Sequence, residues 1–274
     1  MPASQPPVFF TLVVVRHEPL AKLDKYLPDV QDALRRKGFS GQMVKIEQRL
    51  QTQANLAAPP TNSTADILET HYRIFTADQR SAFTFNDHGS FSYATTAYTD
   101  RTALFNQVHM GLELFNGIVQ IQQFYWVGIR MLDLIRPSDT KHELSEMVQP
   151  SLLGFRGIEF SQTGNPTISS MEQAFIGEAW EARARLDCLP DVFGLNSNLL
   201  IDIQGFQFPE HVVRPNRGLH GILDIDSGTR STPDNVHAFD LEQVMAELTE
   251  HKNRISELFR SSVTLTALKA WGLA

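Results

Sequence analysis

The chain has 274 residues, of which 42% are hydrophobic and 20% charged, with a formal net charge of -7 at pH 7. Those are globular values that exclude disorder, and the acidic balance argues against a broad basic surface for nucleic acid or an anionic membrane. The single cysteine, Cys188, excludes an internal disulfide and a cysteine-based zinc cluster.

The valine- and phenylalanine-rich segment from Val8 to Arg16 reads as a buried strand. It is too short to span a bilayer and no basic region precedes it, so a cytoplasmic protein is expected. Leu23, Leu27, Val30 and Leu34 recur at helical spacing, with Gly38 as the stop. Arg35, Arg36 and Lys37 fall at that helix end, where cations complement the dipole. Val44 and Ile46 then alternate with Lys45 and Glu47 in a second strand, and Gln51 to Glu69 reads as an exposed excursion.

Ala82 to Asn86 and Ser90 to Tyr98 predict a hairpin turning at Asp87, His88 and Gly89. Asp100 is the natural N-cap of a helix whose stripe is Leu104, Val108, Leu112, Phe115 and Val119. Ile121 to Ile135 reads as a long strand stopped by Pro137. Lys141 to Arg156 starts as a helix and frays, and residues 160–176 carry no readable element beyond a turn at Asn165-Pro166. Glu181 to Cys188, Leu199 to Phe208 and Leu219 to Asp226 read as a meander, with a bulge at Gly205 in its middle strand. Asp240 with Gln243 starts the last long helix, whose apolar face includes Val244, Leu248, Ile255 and Leu258.

The expected fold is therefore α+β: antiparallel twisted sheets each packed on a long helix, in two related strand-and-helix halves, residues 1–137 and 138–274, packed as one body.

Phosphate-binding loop, nucleophile-elbow and helical zinc motifs are all absent from the sequence. The reading leans away from an enzyme and calls for no catalytic residue, metal or cofactor. The candidates for ligand or partner contact are Arg130, Asp133, Asp202, His220, Asp224 and His251. Asp202, Asp224 and His220 share a strand phase with Arg183, Arg185, Asp187, Gln204 and Asp226, which describes either a carboxylate site or a solvated sheet face with cross-strand ion pairs. His251 falls on the apolar stripe of the last helix, as a cavity-lining or a hydrogen-bonded core histidine. Arg130 sits in an apolar strand and calls for a carboxylate partner, Asp133 or Glu113. The aromatic set Phe83, Phe85, Phe91, Tyr93, Tyr98, Phe124, Tyr125 and Trp126 lacks interleaved cations, which favours a core or protein-facing sheet over base stacking.

The segments VFFTLVVVRHEPL, YLPDVQDALRRKGF, SFSYATTAYTDRTALFNQVHMGLELFNGI, WVGIRMLDLI and LTEHKNRISELFRSSVT together resemble a sporadically distributed family of uncharacterised bacterial proteins of similar length. The chain departs from that pattern at Met131 and Asp133, where the family has an aromatic residue and an asparagine. The resemblance implies a bacterial setting and, from its patchy distribution, an accessory module of a mobile, defence or toxin-control system. It brings no activity.

The leading expectation is thus a non-catalytic module that binds a protein, encoded nearby, through aromatic-rich strands whose edges would equally serve a homodimer. A small-ligand receptor with a curved sheet gripping a helix, and a metal-assisted hydrolase using the sheet carboxylates, are the competing readings.

Overall fold

The computed structural model describes residues 7–50, 67–154, 168–190, 200–214, 218–232 and 235–274. β-Branched and aromatic runs form β1 (Val8–His17), β2 (Met43–Leu50), β3 (Ile67–Phe75), β4 (Ser81–Asn86), β5 (Ser90–Thr95), β6 (Gln123–Ile135), β7 (Ser169–Ile176), β8 (Trp180–Pro190), β9 (Leu219–Thr229) and β10 (His237–Ala238). All belong to one sheet in the order β2-β3-β4-β5-β1-β6-β9-β8-β7, with β10 beside β6. Every pairing is antiparallel.

The helices are α1 (Leu23–Arg35), α2 (Arg101–Val119), α3 (Leu144–Met147), α4 (Pro150–Leu153), α5 (Leu200–Ile203), α6 (Glu210–Val213), α7 (Leu241–Ser262) and α8 (Leu265–Ala270). Both long helices start where the sequence places them. Asp100 accepts from the Ala103 amide and Asp240 from the Gln243 amide, satisfying donors that the first turn cannot pair internally.

The strand groups of the two expected halves are parts of a single sheet, because β1 pairs β5 on one side and β6 on the other. Both long helices pack into one hydrophobic core: Leu104, Val108, Leu112 and Phe115 of α2 and Val244, Leu248 and Ile255 of α7 cluster with Val13, Phe83, Phe91, Ile129, Met131, Leu223 and Ile225 of the strands. Strand alternation sends the intervening residues to the opposite face.

Among the described residues, that second face is covered at one end only. Phe10, Leu12, Phe75, Ala82, Leu132, Leu134 and Ile222 form a smaller apolar cluster under Phe206 and Val212. The covering segment, residues 200–214, was expected to be a strand up to Phe208. It is instead the short helix α5, a turn at Gly205 with φ +85°, and a crossing over the sheet. Its carbonyls are captured by side chains and loops rather than by a ladder: Gln204 O accepts from Arg73 Nη1 at 2.6 Å, Gln207 O from Thr96 Oγ1 at 2.7 Å, and Val212 O from Arg136 Nη2 at 3.1 Å. Phe206 packs edge-on against Phe10 and Phe75. The apolar spacing read as strand alternation therefore reports a lid-like cap on the sheet, and Asp202 and Gln204 are not strand residues.

Three strands were missed, the two-residue β10 among them. β3 begins inside the expected excursion, of which residues 51–66 lie outside the described residues, and its polar His71 and Arg73 hid the alternation. β7 occupies the second half of the unread stretch, of which residues up to 167 likewise lie outside the described residues.

Candidate functional site

Strand registers lay out the uncovered face as rows across the sheet. One row runs His71, Asn86, Ser90, Arg16 and Trp126 across β3, β4, β5, β1 and β6. The next runs Arg73, Thr84, Ser92, Val14, Gly128 and Gly228, and ends at Glu181 on β8. Serine, glycine and valine in the middle of these rows leave a depression, whereas the neighbouring row of Phe75, Ala82, Ala94 and Leu12 is apolar and lies under the cap. The depression is a half-open trough of about 710 Å³, and Asp202 of the cap forms part of its wall.

Further across the sheet the face carries a charge ladder. Arg130 on β6 holds both oxygens of Asp224 on β9, with Nε 2.8 Å from Oδ1. Arg183 on β8 donates from Nε to Asp226 at 2.9 Å, and Arg185 turns to Asp187 on its own strand at 2.9 Å. Glu172 of β7 lies 3.8 Å from both Arg183 and Arg185. Burial pulls the Arg130 guanidinium down, but the Asp224 pair outweighs it and leaves the group above its usual value. Burial raises Asp226 against the opposing pull of Arg183. Arg130 therefore pairs with Asp224, not with the expected Asp133 or Glu113.

Trp126 is positioned by two glycines. Gly128 and Gly228 are register partners on β6 and β9, and a Cβ on either would meet the indole at 2.3 and 2.4 Å. The ring lies on the bare backbone, with the Arg16 guanidinium 5.1 Å from its centroid. This is the packing by which aromatic side chains rescue glycines in sheets.

The remaining polar groups gather at the corner beside the cap. Asn86 is 6% exposed, lines the trough, and has no hydrogen-bond partner for its Oδ1 among the described residues. His71, its register partner, has Nε2 3.3 Å from Glu69 Oε2. Burial lowers the His71 pKa, and the Glu69 carboxylate opposes that shift. Burial raises the Asp202 carboxyl, with Arg130, Arg73 and His71 opposing the shift from a distance. Burial likewise drops the Arg73 guanidinium to about 10. Arg73 donates to Thr84 Oγ1 at 2.9 Å as well as to the cap.

The six sequence candidates thus divide between the two faces. Arg130, Asp202, Asp224 and His220 belong to the trough side, where Arg130 and Asp202 line the cavity, Asp224 lies behind Arg130, and His220 is buried beyond the ladder. Asp133 and His251 belong to the helix side. His251 is 3% exposed, 2.9 Å from Ser227 Oγ, and held down to about 4 by burial reinforced by Arg254. Asp133 is 2% exposed and pushed up to about 7 by burial, with the Lys252 charge opposing. The trough residues that sequence reasoning missed are Glu69, His71, Asn86 and Arg16. Their common phase was readable only with the register of five strands in hand.

No protein-family model matches the chain, and no curated protein is significantly similar to it.

Proposed function

We propose that this chain is a non-catalytic binding module that recognises a protein partner with the trough on the cap side of its sheet. The observation that carries this reading is the trough itself: about 710 Å³, floored by Ser90, Ser92, Val14 and Gly128 and walled by polar groups of both signs. The same arrangement counts against hydrolysis by the sheet carboxylates. Asp224 has both oxygens held by Arg130 and Asp226 has one held by Arg183, which leaves fewer acceptor sites for a hard cation or a general base. The resemblance to a patchily distributed bacterial family supports an accessory role in a mobile, defence or toxin-control system, with the partner encoded nearby.

A tagged chain recovered from its host should bring down a stoichiometric partner. A Ser92→Trp variant, which fills the floor of the trough, should fold with an unchanged melting temperature and lose that partner. Turnover by the purified chain, abolished by Asp202→Ala or Asp224→Ala, would replace this reading with the hydrolase.

A further inference from the structure

We infer that the corner of the trough formed by Asp202, Glu69 and Asn86 receives an N–H-donating organic cation, namely a lysine or arginine side chain on the partner's polypeptide. This rests on the trough being the partner-binding surface.

The charged groups of the trough fall into two kinds. The Arg130–Asp224 and Arg183–Asp226 pairs neutralise each other within hydrogen-bond distance. With those set aside, the carboxylates of Glu69, Glu181 and Asp202 face the guanidiniums of Arg16 and Arg73. Arg16 lies over Trp126, and Arg73 donates to Thr84 and to the Gln204 carbonyl. The Arg73 donors are therefore engaged by the protein itself. Glu69 meets the His71 ring at 3.3 Å, whereas Asp202 makes no hydrogen bond or ion pair within the described residues and the buried Asn86 Oδ1 has no partner there. A buried acceptor without a donor is costly, so a ligand that brings donors gains what this corner lacks.

Placement reinforces the chemistry. Asn86 and His71 are register partners across β4 and β3, Glu69 lies 3.3 Å from His71, and Asp202 lines the same trough, so the three acceptors share the His71 end of it. The net charge of -7 adds long-range attraction for a basic segment. Arg73 and Arg130 set a limit, because they disfavour a diffuse polycation deep in the trough and favour one cationic side chain entering at the Glu69 end.

The test uses the full chain and fluorescein-labelled glycine–serine peptides carrying one arginine, one citrulline or one glutamate, read by anisotropy. The arginine peptide should bind, and both the citrulline exchange and Asp202→Asn should weaken it at least ~10-fold. Asn86→Ser provides a second, uncharged variant that should also weaken it. Glu242→Gln, an exposed carboxylate on α7, should leave it unchanged. Equal losses from Asp202→Asn and Glu242→Gln would mean unspecific attraction and overturn the inference. Preference for the glutamate or citrulline peptide, lost in Ser92→Trp, would overturn the cation and leave the trough as the binding surface. Free arginine amide binding as tightly as the peptide would overturn the polypeptide source. Binding indifferent to Ser92→Trp would sink both readings.

Discussion

His251 on α7 and Ser227 on β9 meet through Nδ1 and Oγ at 2.9 Å, joining the last long helix to the sheet inside the apolar core. Burial holds His251 down to about 4, against 6.5 in the unfolded chain. Between those values the unfolded chain binds the extra proton, so stability rises with pH across the window and is lost as pH falls through it. The contribution is on the order of 3 kcal/mol at most. His251→Gln should remove this acid-side loss, measured by urea unfolding from pH 4 to 7.

Asp133 works in the opposite direction. Its carboxyl is pushed up to about 7 from 3.8, so the folded state holds the proton in that window and stability falls as pH rises through it, by an amount on the order of 4 kcal/mol. In the overlap the two slopes oppose each other. Asp133→Asn should therefore expose a steeper gain of stability with pH between 4 and 6.5, and His251→Gln a decline. Parallel slopes in the two variants would contradict the assignment.

The Arg130–Asp224 pair is a structural element of the ladder. Asp224→Ala should cost about 3–5 kcal/mol because it leaves a largely buried guanidinium without its carboxylate. Arg130→Met combined with Asp224→Leu should recover most of that loss, as thermal melts would show. Loss of stability in the double variant as large as in Asp224→Ala would contradict this account.

Trp126 and Gly128 should be energetically coupled. Gly128→Ala drives a Cβ into the indole at 2.3 Å and should cost roughly 1–3 kcal/mol. In a Trp126→Ala background the same change should cost much less, giving a clear interaction energy in a double-mutant cycle. Tryptophan emission should shift to the red as the displaced ring meets water.

Thermal melts with and without a chelator should coincide, since the acidic side chains of the ladder are held by arginines and not by a metal. A large drop on chelation would return the sheet carboxylates to the role of ligands.

The sequence by itself determined the elements whose burial pattern is local. The caps Asp100 and Asp240, the stripes of α2 and α7 and the β4–β5 hairpin all follow from periodicity and turn chemistry, which act over a few residues. Only the tertiary structure decided the rest. β1 at the centre joins two strand groups into one sheet, a matter of pairing between residues far apart in the chain. The segment containing Asp202 has a strand's apolar spacing, yet Gly205 turns it and Phe206 finds its burial on the sheet face, so it becomes a cap. His71, Asn86 and Asp202 are unremarkable where they stand in the sequence. They form a corner because strand register and a crossing loop converge there, and contacts made through register leave no local trace in the residues that make them.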